Sequence, residues 1–516
     1  LGYNLIDEGW IPCLLPDGGI ENKSIREVLS RPKDLLEIVD PSPLVVASIH
    51  RLLIAVLERS LSLTSSEDVK RIWLDGRWDV VKIDKYLDRW HERFDLFNER
   101  RPFYQSPDFS KGKPITVNKL FNEMSTANNT VLFDRRYDDV ASSIEASLAA
   151  RGLIATQAFA LGGGKSSTIN FLHAPLVGKA MVLLKGENLC ETLALNLAPL
   201  ESCSPLTLTG VASAEELRND RPTWEAEADV PGGERFVLGW LDLLTWQPRA
   251  VRLVPCEDGS DHVSSIYMAQ GTVIKNEVLF DPMVSYRRSK DYGWLPIGIE
   301  LNREVWRDLS ALLRAGDEAT GTFTLRSVAA LAHEGVIASS KLYRMDVIGM
   351  CSEKAKVHQW KHARMPLPLS YLDNDLLVGY LSRAITIAER VEQCLQAGMK
   401  ELATNLLYPS PGAEPDKKAI GQLIASFQVI PRYWSDVEVP FYSLIYELSS
   451  SVSQGLDREA DIIRDWTRFS VTAAENALDV QIRSADNGAR GMKAAVMARR
   501  RFFLSSWSLM KDARGM

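Results

Sequence analysis

With 516 residues the chain is too long for one hydrophobic core, so roughly two to four domains are expected, and its ordinary apolar and charged content excludes a disordered or fibrous protein. A formal charge of −7 excludes a globally basic nucleic-acid coat, leaving polyanion binding to local patches on an acidic background. Six cysteines at 13, 190, 203, 256, 351 and 394 form no C-x-x-C pair, which disfavours a zinc knuckle or a disulfide scaffold, and neither a basic-then-apolar signal nor an apolar run of about 18 residues is present, so a reduced cytoplasm without membrane contact is expected.

The first predicted element is a strand over Asn4 to Leu15, turned by Pro16-Asp17-Gly18-Gly19 into a second strand. Helices follow over Ser24 to Leu29 and Pro43 to Leu63, where Leu44, Ile49, Leu52, Leu53, Val56 and Leu57 recur at helical spacing and define a buried face. Trp78, Trp90, Phe94, Phe97, Phe103 and Tyr104 are dense enough to read as core rather than as a base-stacking platform. Asn128 to Asp139, with adjacent Asn and Asp and interleaved Arg and Tyr, reads as a loop.

The next stretch, Ala158 to Asn170, contains Gly162-Gly163-Gly164-Lys165-Ser166. Three glycines without Cβ atoms let the backbone approach a ligand closely, and Lys165 adds a mobile cation. A P-loop, G-x-x-x-x-G-K-[ST], needs a glycine five residues before Gly164, where Phe159 stands. A nucleotide hydrolase using this degenerate loop over Gly162 to Ser166 is therefore the rival to a non-catalytic binding loop.

Arg235 to Leu253 and Ser264 to Ile274 continue a mixed sheet. Asp281 to Lys290 is basic and aromatic, either a contact for backbone phosphates or a solvated loop. His358 and His362 stand four apart, the spacing of two zinc ligands on a helix. Gln359 occupies the place of the general-base glutamate and no third ligand is identified, so two polar histidines are expected instead. After Pro366-Leu367-Pro368, helices are predicted over about 373–407, 417–448 with breaks at Pro431 and Pro440, 457–484 and 489–510. In the last, Arg490, Lys493, Arg499, Arg500 and Arg501 occur with no acidic residue between 490 and 501 and read as a DNA-backbone contact. The fold class expected is α+β, a large mixed α/β N-terminal domain (1–370) with a C-terminal antiparallel four-helix bundle (371–516).

Asn4-Leu5-Ile6-Asp7-x-x-Trp10-Ile11-Pro12, the segment Phe94-Asp95-Leu96-Phe97-Asn98-Glu99-x-x-Pro102-Phe103-Tyr104-Gln105 and the glycine loop come in the order and rough spacing of the CasA family, and the resemblance extends into the helical C-terminal part. That family is the large subunit of the type I-E CRISPR surveillance complex, Cascade. The resemblance implies a subunit without catalytic chemistry or cofactor that reads a protospacer-adjacent motif on double-stranded target DNA, starts strand separation and R-loop formation, and supports recruitment of the helicase-nuclease. Its implied partners are guide RNA with the other Cascade subunits, target duplex and displaced strand. Gly162, Gly163, Gly164 and Lys165 fall on the motif-reading loop. A family lysine for the same duplex aligns with Gln270, the nearest cation being Lys275. Glu353, Lys354 and Ala355 fall on a wedge that enters the duplex, with Lys354 where glutamine is frequent. Phe133 and Asp134 match the short motif that docks onto guide RNA and complex; Arg135 and Arg136 are added because guanidinium suits phosphate.

Overall fold

The computed structural model describes residues 2–106, 113–121, 143–163, 170–227, 230–313, 319–353, 356–408, 415–485 and 488–514. The chain divides into two compact units, 1–305 with 311–367, and 306–310 with 368–516.

The first unit begins with the expected Asp-Gly hairpin. Strand Ile11–Leu14 pairs antiparallel with Ile20–Lys23, and Asp17 Oδ1 accepts from Gly19 N (2.8 Å) at the turn. The stretch before it is not strand, as the sequence suggested, but a turn that docks on distant chain: Leu5 N donates to Phe94 O (3.0 Å), Leu96 N to Tyr3 O (3.0 Å), and Trp10 Nε1 closes on Leu5 O. The two segments that carried the family resemblance are thus one structural joint. Ser24 and Glu27 form a capping box at the start of helix Ile25–Ser30, and helix Pro43–Leu61 is buried from Pro43 through Glu58. The aromatic cluster is core: Phe94, Phe103 and Tyr104 are buried, with Phe103 stacked on Tyr104 at 4.3 Å and Phe94 on Phe103 at 5.0 Å.

Strand His262–Gln270 organises the next part. Arg249–Pro255 pairs antiparallel along one edge, while the short strands Ile115–Thr116 and Ile144–Glu145 pair along the other. Residues 235–253, read as continuous sheet, are interrupted by helix Trp240–Leu244, whose N-terminal amides are accepted by Asp220. A further sheet orders Lys356–Pro368, Leu342–Glu353 and Ala180–Lys185, with Leu342–Glu353 in the centre and the first two strands, of 13 and 12 residues, forming a long hairpin.

The second unit holds four long helices, Asp375–Leu407, Val429–Gln454, Glu459–Ser484 and Ala489–Arg514, with a short fifth, Lys417–Ser426. The break expected at Pro431 falls at 427–428, because a proline in a helix's first turn lacks only an N–H that has no partner there. Pro440 lies within the helix without ending it. Residues 306–310, assigned by sequence to the first domain, belong with the helices: Trp306 packs on Phe441 (4.3 Å), and Arg307 stacks on Trp434 (3.8 Å) while pairing with Glu389 and Glu392. Among the described residues no helix is long and apolar enough to cross a membrane, and all six cysteines are unpaired.

Candidate nucleic-acid interface

Helix Ala146–Phe159 delivers the chain into the glycine loop, and the returning segment lies directly against the outgoing one. Leu176 N donates to Ala158 O (3.1 Å), Ala174 N to Ala160 O (2.9 Å) and Gly163 N to Phe171 O (2.8 Å). Gly162 is buried in this crossing, where a Cβ would sit 2.9 Å from His173 N and 3.0 Å from Phe171 O, so no other residue fits without moving backbone. Gly163 is exposed at φ 100°, a left-handed conformation that L side chains rarely adopt. The two glycines serve different needs, close packing below and backbone conformation above.

Beneath the loop lies a clamp that the sequence reading missed. Arg249, buried at the start of its strand, donates through Nη2 to Leu172 O (2.7 Å), Leu161 O (2.8 Å) and Ala160 O (3.3 Å), and through Nη1 to Pro248 O (2.9 Å), so one guanidinium ties both arms of the loop. Its face stacks on Phe171 at 4.9 Å. Burial pushes its pKa down to about 10, still far above neutrality, so the cation persists. Gln157, on the preceding helix, fixes the Arg249 backbone from both sides (3.0 and 3.1 Å).

Gln270, aligned by sequence with a duplex-contacting lysine, is 1% exposed. It stands opposite Arg249 in the strand register; its Oε1 accepts from Leu172 N (2.8 Å) and its Nε2 donates to Pro248 O (3.0 Å). The structure corrects its expected role from groove contact to loop support, because an amide paired inside the fold offers nothing to solvent. His173 completes the base: its Nδ1 accepts from Gly162 N (2.9 Å), and burial, followed by the nearby Arg249 charge, holds its pKa below the ordinary imidazole value. Neutral His173 with the proton on Nε2 is the form this bond requires.

Lys275 is exposed just beyond the strand end, its ammonium 5.5 Å from the Phe236 ring centroid. Gly164 and Lys165 lie outside the described residues, as do Phe133, Asp134, Arg135 and Arg136. On either side of that last segment, Thr116 pairs with Ser265 and Ile144 with Val263 on one edge of the same strand.

Glu353 ends the first strand of the long hairpin, and Lys354 and Ala355 lie outside the described residues. Strands of this length extend about 40 Å. Their base is locked by charge: Asp346 accepts from His362 Nε2 and Arg344 Nε, both at 2.8 Å, and Arg344 reaches Glu37 (2.8 Å). Burial raises the Asp346 carboxyl, but the His362 bond and the Arg344 charge outweigh it and hold its pKa below the usual range. His358 and His362 lie in a strand, not on a helix. Four residues along a strand separate two same-face positions by about 13 Å, too far to share a metal ion.

Arg287 and Arg288 of the basic-aromatic stretch are exposed on strand Tyr286–Ser289, whereas Asp281 is buried against Arg51 (2.9 Å). On the last helix Arg490, Lys493, Arg499, Arg500 and Arg501 are all exposed, but at about 100° per residue they spread over more than half its circumference, and Arg499 pairs with Asp479 (2.8 Å). They do not form the single basic face that the run of charges suggested.

Residues 4–477 match the family model described as CRISPR-associated protein Cse1. The chain belongs to the CRISPR-associated Cse1 family. It is 31% identical over 515 residues to the CasA/Cse1 protein of Thermus thermophilus, covering 97% of this chain and 96% of that one. Among solved structures it resembles a crystal structure of Thermus thermophilus CasA (TM-score 0.82, 28% identity, 99% and 100% covered). A chain in a structure titled CRISPR RNA-guided surveillance complex shares its fold (TM-score 0.77, 23% identity, 97% and 99% covered). In this chain the clamped glycine loop and the long hairpin belong to one unit.

Proposed function

We propose that this Cse1-family chain is the large, non-catalytic subunit of an RNA-guided surveillance complex in the cytoplasm. Gly163 to Lys165 and Lys275 read a short flanking motif on duplex DNA, with buried Gly162 as the packed base of the loop. The hairpin tip at Glu353, Lys354 and Ala355 wedges the strands apart, Phe133 to Arg136 dock the chain onto guide RNA and its neighbours, and the bound complex recruits a helicase-nuclease. The observation that carries this reading is the glycine loop itself. Its two arms are fastened from below, the outgoing one by Arg249 and His173 and the returning one by Gln270, while Gly163 is exposed with no side chain to hold a groove wall away.

Backbone readers in a minor groove meet a degenerate acceptor pattern, so recognition is permissive, with penalties nearer ~1 than ~3 kcal/mol per changed base pair. The nucleotide-hydrolase alternative fits less well. A P-loop places a helix immediately after its Lys-Ser, whereas here the helix precedes the loop and residues 170–179 contain none.

The test uses the assembled complex with a library of flanking motifs and two targets, one fully paired and one pre-melted beside the motif. Gly163→Asp, which adds a strained side chain and a charge facing phosphate, is expected to reduce binding of the paired target at least ~100-fold. Lys354→Ala is expected to slow duplex opening and to be rescued by pre-melting. Equal rescue of both variants contradicts the division between reading and wedging, and nucleotide turnover that vanishes in Lys165→Ala establishes the rival.

A further inference from the structure

The two arms of the glycine loop differ at their exposed end. Gly163 on the outgoing arm presents backbone alone, whereas Leu172 on the returning arm is 46% exposed and His173 beside it is exposed as well. Gly163 N donates to Phe171 O (2.8 Å), and a Cβ on Gly162 would sit 3.0 Å from the Leu172 carbonyl carbon, so these two side chains stand next to the glycines. A single exposed leucine is ordinary; the way this one is held is not. Its N–H donates to Gln270 Oε1 (2.8 Å) and its carbonyl accepts from Arg249 Nη2 (2.7 Å), both on buried side chains. The apolar side chain cannot turn inward without breaking two buried bonds, so the clamp holds it in place at the loop surface. His173 is fixed too. Its Nδ1 accepts from Gly162 N (2.9 Å), which leaves the proton on Nε2, and nothing among the described residues is bonded to that nitrogen.

We propose that Leu172 is a specificity-determining residue: it meets the minor-groove edge of one base pair of the flanking motif and selects A·T or T·A over G·C there, while His173 donates from Nε2 to an acceptor on the same groove floor. This rests on the motif-reading role of the glycine loop given above. A groove wall that closes on the Gly163 backbone meets Leu172 and His173 first, because glycine has no side chain to stand in front of them. Every base pair offers acceptors in the minor groove, but only G·C adds the guanine N2 amino group. Seated against leucine, that donor loses its water and gains no acceptor, which penalises G·C. An A·T pair presents acceptors alone, and the neighbouring Nε2–H can meet one of them. The A·T and T·A orientations are not told apart, since their acceptor patterns match. Backbone phosphate fits this pair less well. Leucine gives a phosphate nothing, and burial, with the nearby Arg249 charge, keeps His173 neutral near pH 7, so it offers one directed hydrogen bond rather than a cation. Amides alone read permissively; the one apolar side chain pinned beside them supplies the selection they lack.

The test measures binding of the assembled complex, carrying Leu172→Asn, Leu172→Ala, Leu172→Met or His173→Asn, to a library of flanking motifs in otherwise identical duplexes. The Leu172 variants keep both backbone bonds and change an exposed position, so they are expected to melt like wild type. Leu172→Asn, whose amide oxygen can accept from guanine N2, is expected to cut the preference for A·T over G·C about 10-fold at one motif position and to leave the other positions unchanged. Leu172→Ala is expected to relax the same position by less, and Leu172→Met, which keeps the apolar contact, to retain the preference. His173→Asn can still accept from Gly162 N but lacks the Nε2 donor, so it is expected to weaken all motifs alike, by about 5-fold. A wild-type preference profile in Leu172→Asn overturns the proposal. So does an equal loss across all motifs in that variant, which makes Leu172 a packing residue, or a wild-type preference for G·C at the position that the Leu172 variants alter. His173→Asn that binds every motif like wild type overturns the donor's part. If the wild-type complex binds every flanking sequence alike, the motif-reading role of the loop itself fails; if its preference survives intact in Leu172→Asn, that role stands and only the assignment to Leu172 falls.

Discussion

The base of the glycine loop and the core of the helical unit are both buried, yet they are held by opposite chemistry. In the helical unit, order comes from apolar side chains at helical spacing: Leu381, Ala388, Leu395 and Leu402 line the buried face of helix Asp375–Leu407, and Gly398 lets Phe502 approach to 3.2 Å of where a Cβ would be. Many contacts share that energy, and each is replaceable in part. At the loop base one guanidinium, one amide and one imidazole hold two chain segments by hydrogen bonds, alongside the backbone bonds between the two arms. A packed core degrades gradually under mutation, whereas a buried polar clamp fails when any member leaves its partners unsatisfied.

Arg249→Met is expected to give the larger loss. It strips donors from the carbonyls of Pro248, Ala160, Leu161 and Leu172 and destabilises the first unit by about 4 kcal/mol, read in urea unfolding. Arg249→Lys is expected to rescue little, because an ammonium cannot reproduce the planar fork. A loss near ~1 kcal/mol makes the clamp ordinary packing and erases the contrast.

Leu395→Ala in the helical unit is expected to cost about 3 kcal/mol through the cavity it leaves, while flanking-motif discrimination by the assembled complex stays unchanged. A changed motif preference in this variant couples the two regions after all.

The smallest effect expected is that of pH on His173. Its folded pKa lies below the ordinary value of 6.5, so its bond from Gly162 N is fully present above that value and is lost as pH falls through the depressed one. Amide exchange at Gly162, corrected for intrinsic rate, is expected to be flat from about pH 8 to 6.5 and to rise only below. A rise already near about pH 7.5 removes His173 from the clamp.

The helices of the second unit were legible in the sequence because apolar periodicity is local, and their bounds shifted by only a few residues. The glycine loop and the family segments were legible too, the latter because Leu5, Trp10, Phe94 and Gln105 meet in one joint whose residue types are narrowly constrained: Gln105 alone bonds Leu96 O and Leu253 N. Tertiary structure alone decided that Gln270 faces inward, since which side of a strand is buried depends on what packs against it. It alone placed Arg249 under a loop nearly ninety positions earlier, through a cross-strand register that no local pattern encodes. It also gave residues 306–310 to the helical unit, because Trp306 packs on Trp434 and Phe441, which lie far along the chain. Local periodicity specifies elements; the burial of polar and aromatic groups depends on partners distant in the chain, and those exist only once it has folded.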